Sequence, residues 1–259
     1  MLILSNSLCK SASTITWWYK TELINRTTPT NGNRGLIDFV DSGAVPGRGI
    51  FIEDPLTDQS LDRLMDYARQ NGPTVVKTHC HMTPYLDQII REGKILATYA
   101  HRDPRDVILS AIDHRDRDIK SGGHVWFSQF SSVEASIPSI RGWCLKAEPW
   151  ITHPQVHNIL YRDTVGDPRQ QIQRLAEKLK VEISNKQVDA ILSVEANRKS
   201  DKANWMQFNQ AKLTRYQTEM TPAQIELCNR EIGLWIEKFG YPIEGPCTAS
   251  ATQLDAPAA

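Results

Sequence analysis

The sequence predicts an α/β fold, a three-layer sandwich in which a central, mostly parallel β-sheet is flanked by helices. Two observations predict it. Short apolar runs rich in β-branched residues alternate with amphipathic stretches of helical length, which is the pattern of a parallel sheet covered by its crossover helices. Several of those runs are apolar almost throughout, as strands buried on both faces must be. The length agrees: 259 residues, 40% of them hydrophobic, can bury one substantial core, so a single domain is expected over residues 1–243.

Taken in order, the expected strands run from Leu2 to Ser5, Gly49 to Ile52, Thr74 to Thr78, Ile95 to Ala100 and Val156 to Tyr161. Helix starts are written between them. Asp103-Pro104, Asp167-Pro168 and Thr221-Pro222 each place a capping side chain before a proline at the first helical position. The last of these opens a long amphipathic segment to Phe239, which Gly240 stops. Leu61, Leu64, Met65 and Tyr67-Ala68 mark one helix face, and Tyr85, Ile89 and Ile90 another. Two stretches, Asn25 to Gly49 and Ser121 to Ser139, are rich in polar residues and glycine without a clear period, and read as loops over one end of the sheet. Beyond Tyr241 the chain turns to Pro, Ala, Ser and Thr, so Glu244 to Ala259 is expected to be a disordered tail.

Composition narrows the function. Thirty Lys and Arg balance thirty Asp and Glu, which removes the electrostatic footprint of a nucleic-acid-binding chain. The five cysteines are scattered and include no C-x-x-C pair, so neither a disulfide framework nor a structural zinc site is expected. No segment is apolar enough to span a membrane, and the N-terminus lacks a leader pattern; a cytoplasmic protein is expected. Asn25-Arg26-Thr27 fits the glycosylation pattern, which matters only in a secreted protein.

Three segments carry chemistry. The first strand leads into Cys9-Lys10-Ser11-Ala12-Ser13-Thr14 and a helix containing Trp17 and Trp18. A strand, a tight loop with one lysine and a helix N-terminus make an anion site from backbone N–H groups, helix dipole and ammonium. The Walker pattern G-x-x-x-x-G-K-[ST] is absent, which disfavours an ordinary ATPase or GTPase loop. A capped helix start with a surface lysine would read the same. The second segment, Val75-Val76-Lys77-Thr78-His79, delivers a lysine and a histidine at the strand end that faces the ligand crevice of an open α/β sheet. Such a histidine suits general base work, although a lone one at a strand end is often structural. A metal reading of His79-Cys80-His81 finds no further ligand at a useful spacing.

The third segment is Thr98-Tyr99-Ala100-His101-Arg102-Asp103-Pro104-Arg105-Asp106-Val107-Ile108-Leu109-Ser110. An arginine leaves a buried strand just before a helix, and a serine follows two turns in. Arginine recognises phosphate bidentately and a hydroxyl can complete the coordination. The bland alternative is an Arg102-Asp103 capping salt bridge; Arg105 and Asp106 are expected to be a solvated pair either way.

In this order the segments resemble the cytosolic-type sulfotransferases, which use 3′-phosphoadenosine 5′-phosphosulfate (PAPS) as donor and release PAP. That family's K-S-G-T-T-W is similar to Lys10 to Thr14, its K-T-H to Lys77-Thr78-His79, its R-x-x-x-D-V-x-x-S to Arg102 through Ser110, and its Y-E-D to Tyr161-Arg162-Asp163. Lys212 to Pro242 is similar to the family's final stretch. The resemblance covers nearly the whole chain and implies a P-loop NTPase-like fold and a PAPS-dependent transferase that needs no metal. It implies that Lys10 neutralises the oxygen bridging sulfate to the leaving phosphate while Ser11, Ala12, Ser13 and Thr14 hold the 5′-phosphate. It implies that His79 takes the acceptor's proton and Lys77 neutralises the sulfuryl oxygens. Arg102 and Ser110 would hold the 3′-phosphate, and Tyr161 would contact the adenine. The acceptor would be a small molecule, lipid or carbohydrate, with Trp126, Phe127 and Phe130 as candidate pocket walls.

The chain departs from that pattern in three places. Ala12 stands at the loop glycine, Ile15 stands at the adenine-stacking tryptophan with Trp17 or Trp18 as substitutes, and Asn209-Gln210-Ala211 stands where the family has R-K-G. Lys212 or Arg215 would then compensate for the missing charges. The nearest enzyme rival is a small-molecule kinase, which needs a Mg²⁺-binding acid such as Asp103; the rival of another class is a catalytically silent nucleotide-binding module.

Overall fold

The computed structural model describes residues 1–28, 33, 35–49, 51–52, 54, 56–200 and 212–243, with the side chains of Arg48 and of residues 198–200 left aside. The chain begins with β1 (Leu2–Ser7), α1 (Ser13–Thr27), α2 (Leu36–Asp41), β2 (Gly47–Arg48), β3 (Phe51–Ile52) and α3 (Asp58–Asn71). It continues through β4 (Thr74–Thr78), α4 (Pro84–Arg91), β5 (Ile95–His101), α5 (Pro104–Ser121), α6 (Val133–Ile151) and β6 (His157–Leu160). The last elements are α7 (Tyr161–Gly166), α8 (Pro168–Leu179), α9 (Asn185–Ser200), α10 (Tyr216–Glu219) and α11 (Pro222–Lys238). Asn209-Gln210-Ala211 and the expected tail from Glu244 lie outside the described residues.

The strands form one six-stranded sheet in the order β2-β3-β4-β1-β5-β6. All neighbours are parallel except β2 and β3. β1 is central: Leu2 to Ser5 pair with Thr74 to Lys77 on one side, and Leu2 to Ser7 with Ile95 to Ala100 on the other. Alternation along the strands divides the core. Leu2, Leu4, Val76, Ala97 and Tyr99 face one layer with α3, α4, α5, α6 and α11. Ile3, Val75, Ala100 and Ile159 face the other, against α1, α8 and α9. β1 lies between partners whose crossovers run to either side, and the C-terminal ends of the parallel strands β1, β4, β5 and β6 share one edge of the sheet, the position at which such sheets bind ligands.

The expected caps are formed. The side chains of Asp103, Asp167 and Thr221 accept from the N–H groups of Arg105, Gln170 and Gln224, and Gly240 turns at φ +79° after the last helix. Other expectations are corrected. The stretch from Asn25 is not a continuous loop, since it contains the end of α1 and all of α2, and Val133 to Ser139 is the first part of α6. Tyr161 opens a helix instead of closing a strand. No helix among the described residues is long and apolar enough to cross a membrane.

Candidate active site

The loop after β1 has no glycine, so its curvature falls on other residues. Lys10 and Ala12 both adopt left-handed backbone, at φ +63° and +62°, a conformation that costs a side-chain-bearing residue roughly 1–2 kcal/mol. Ala12 is also the N-cap of α1 and supplies no side-chain cap, so the first N–H groups of that helix are left for another partner. Ser11 is fully buried beneath the turn, Ser13 begins the helix, and Thr14 accepts a hydrogen bond from Lys77 Nζ at 2.7 Å. That bond brings the lysine of β4 onto the loop of β1. Burial pulls both ammonium groups down, Lys10 to about 8 with help from Arg117, and Lys77 to about 8.

His79 stands just past β4, with its Nδ1 2.8 Å from the Ser7 carbonyl oxygen and 3.1 Å from Ser7 Oγ. A carbonyl oxygen only accepts, so Nδ1 carries the proton and Nε2 holds a lone pair. Nε2 has no hydrogen-bond partner among the described residues. Burial, assisted by Lys77 and opposed by the Ser7 hydrogen bond, pushes the imidazole down to about 4, so the ring is neutral near pH 7. The Phe51 ring lies 5.4 Å from it. His81 Nδ1 meets Asp54 Oδ2 at 2.5 Å instead.

Around the end of β5 the charges pair differently from the sequence expectation. Arg105 and Asp106 are not a solvated pair: they are 0% and 2% exposed and bonded to other groups. Asp103 caps α5 and takes Arg105 Nε at 3.0 Å and Nη2 at 2.7 Å on its two oxygens. Arg102 instead meets Asp106, with Nη2 3.0 Å from Oδ2, and the same Nη2 donates to the Lys212 carbonyl at 2.9 Å. The other oxygen of Asp106 accepts from the Tyr216 N–H at 3.0 Å. The guanidinium carbon of Arg102 lies 4.1 Å from the centre of the Tyr161 ring. Arg102 Nη1 and the buried Ser110 Oγ have no protein partner among the described residues.

The other sequence candidates separate. Lys212 contributes its carbonyl and exposes its side chain. Arg215, expected to supply a compensating charge, is buried between Glu219 at 2.6 Å and Asp113 at 2.8 Å; two carboxylates already neutralise it. Trp18 is a core residue and Trp17 donates its indole N–H to the Val75 carbonyl at 3.1 Å. Of the candidate pocket walls, Phe130 is 0% exposed and packs 4.7 Å from the Trp143 ring, Trp126 is exposed, and Phe127 lies 5.5 Å from Lys10 Nζ. The sequence reading missed His114 on α5, whose Nδ1 is 2.9 Å from Lys10 Nζ.

The C-terminal edge of the sheet thus gathers a helix-start loop carrying Lys10, the further cations Lys77 and Arg102, and a neutral histidine with an available lone pair. The sulfotransferase domain family matches residues 7–240, a span that contains every one of these groups. The chain belongs to that family. The enzyme is a transferase of sulfuryl groups, of the PAPS-dependent class. No curated protein matches it in sequence. Its fold is similar to that of the mouse sulfotransferase SULT7A1 complexed with PAP, with TM-score 0.59 and 13% identity over 91% of this chain and 84% of that one. Retinol dehydratase in a complex with retinol and PAP is similar with TM-score 0.57 and 16% identity, over 95% of this chain and 83% of that one. Retinol dehydratase with androsterone and inactive cofactor PAP gives TM-score 0.51 and 14% identity, over 95% and 82%. At such identities the likeness speaks for the fold, which the sulfotransferase shares as a P-loop-like α/β sandwich.

Proposed function

We propose that this sulfotransferase moves a sulfuryl group from PAPS to a hydroxyl or amine of a small-molecule, lipid or carbohydrate acceptor, by in-line transfer with His79 as general base, within a single domain formed by residues 1–243. The observation that carries the reading is His79: its tautomer is fixed by the Ser7 carbonyl so that the free lone pair of Nε2 is the basic atom.

The residues fit the donor. The loop from Lys10 to Thr14 offers uncapped N–H groups at a helix start with a lysine beside them, which suits a 5′-phosphate. Arg102 Nη1 and Ser110 Oγ are unspent donors on the neighbouring element, suited to a 3′-phosphate, and Tyr161 backs the same guanidinium. PAPS supplies the activated sulfuryl group. As the acceptor's oxygen or nitrogen bonds to sulfur and the S–O bond to the 5′-phosphate breaks to release PAP, His79 takes the acceptor's proton on Nε2. Lys77, hydrogen-bonded to Thr14, neutralises the sulfuryl oxygens, and Lys10 neutralises the charge that develops on the oxygen bridging sulfate to the leaving phosphate. Such a transfer is catalysed by positioning and charge more than by covalent participation. Asp103, the acid that a kinase reading would use, has both oxygens on Arg105.

PAP is expected to raise the Tm more than ADP or ADP with Mg²⁺ does. A preference for Mg-ADP would sink the assignment. Arg102→Ala should weaken PAP binding more than tenfold, since a charge-assisted contact contributes about 2 kcal/mol. Because that change also strands the buried Asp106, Arg102→Lys serves as the second variant: it keeps the charge but loses the planar fork, and intermediate PAP affinity by calorimetry is expected. Wild-type affinity in both would remove Arg102 from the site.

A further inference from the structure

We propose that His114, oriented by Asp118, is a positioning residue for Lys10 and ties that lysine to the loop ahead of α6. The proposal rests on the reading that Lys10 faces the donor's leaving oxygen. A lysine ammonium has three donors and no acceptor, so the 2.9 Å contact requires His114 Nδ1 to accept. The proton of the neutral imidazole then sits on Nε2, which faces Asp118 Oδ2 at 3.5 Å. An imidazolium would set N–H against N–H and expel the lysine.

The contact is enclosed. His114 is 6% exposed, and among the described residues the charged or titratable groups acting on Lys10 include Cys9 in the loop, Arg117 and Asp118 on α5, and Arg102. Lysine has a flexible four-carbon stem, so a fixed acceptor decides where its charge waits before transfer. The same imidazole meets the Phe127 ring edge-on at 4.8 Å, and the same Asp118 oxygen accepts the Trp126 N–H at 3.2 Å. Displacing the segment that carries Trp126 and Phe127 therefore disturbs the hydrogen bonds that hold Lys10.

His114→Leu keeps the bulk against Phe127 and removes the acceptor, whereas His114→Asn places an amide oxygen near the position of Nδ1. With PAPS and an accepted substrate, His114→Leu is expected to lower kcat by about 10–100-fold, the range of a misplaced catalytic group, with PAP affinity changed less than about threefold. His114→Asn should recover to within about fivefold of wild type, because an accepting oxygen restores the hydrogen bond. A packing role alone would leave His114→Leu near wild type, or His114→Asn as impaired as His114→Leu, and either result overturns the proposal. The second readout needs no turnover: amine labelling of Lys10 across pH, followed by mass spectrometry. Loss of an acceptor disfavours the ammonium, so the labelling midpoint should fall in His114→Leu and recover in His114→Asn; an unmoved midpoint overturns the contact. If PAP fails to bind while the midpoint still shifts, the donor reading falls and the Lys10–His114 contact stands.

Discussion

His79→Ala is expected to lower kcat for sulfuryl transfer by about 10³-fold, within the range that a positioned general base supplies, while PAP affinity stays within about threefold. The separation follows from geometry. Arg102, Ser110 and the loop from Lys10 to Thr14 are the groups assigned to the nucleotide, and none is hydrogen-bonded to His79, whose ring is held by Ser7. The wild-type pH profile has a stated sign. A base with its pKa near 4 is ready at neutral pH and is lost as pH falls through that value, so kcat/KM should be flat from pH 7 to about 5 and then decline. That acid limb should vanish from whatever activity His79→Ala retains. Retention of most of the activity would withdraw the base role; loss of PAP binding in the same protein would mean that His79 builds the donor site instead.

Lys20→Met is expected to stabilise the fold by about 2–5 kcal/mol at pH 7, since each pKa unit corresponds to about 1.4 kcal/mol. Lys20 is fully buried in α1, its Nζ has no hydrogen-bond partner among the described residues, and burial alone pulls it down to about 7. No carboxylate among the described residues offsets it, and its charge acts on a half-buried base, His157. Methionine keeps the unbranched stem and removes the buried amine. The sign can be worked out. Between pH 7 and 10.5 the unfolded chain binds a proton that the folded chain does not, so wild-type stability attributable to this group rises with pH across that window. The advantage of Lys20→Met should therefore be largest at or below pH 7 and shrink toward pH 10.5. Urea unfolding at several pH values measures it, and an advantage independent of pH would show that Lys20 is not a buried, unpaired amine.

Much of the fold was legible because its signals are local. Thr74 to Thr78 is a strand at the residues the sequence predicts, and the proline-started helices after Asp103, Asp167 and Thr221 begin where their caps stand. The lysine loop and Lys77-Thr78-His79 could be read as chemistry because each motif is one strand end and its loop. Local signals also misled. α6 carries Pro138 and Pro149 inside it, which break the helical pattern that would have announced it; β2 and β3 are too short for a period to appear.

What the sequence by itself determined is which residues stand at the sheet's C-terminal edge, since strand alternation and strand ends place Lys10, Lys77, His79 and Arg102 there without reference to the rest of the chain. Only the tertiary structure decided which partner each charge meets. Arg102 pairs with Asp106 and not with Asp103, Arg215 is consumed by Asp113 and Glu219, and Lys10 rests on a histidine 104 residues away. The reason is physical: hydrogen-bonded caps and apolar periodicity act over a few residues and are written in order along the chain, whereas a charge chooses its partner by distance and burial, which exist only once the helices are packed on the sheet.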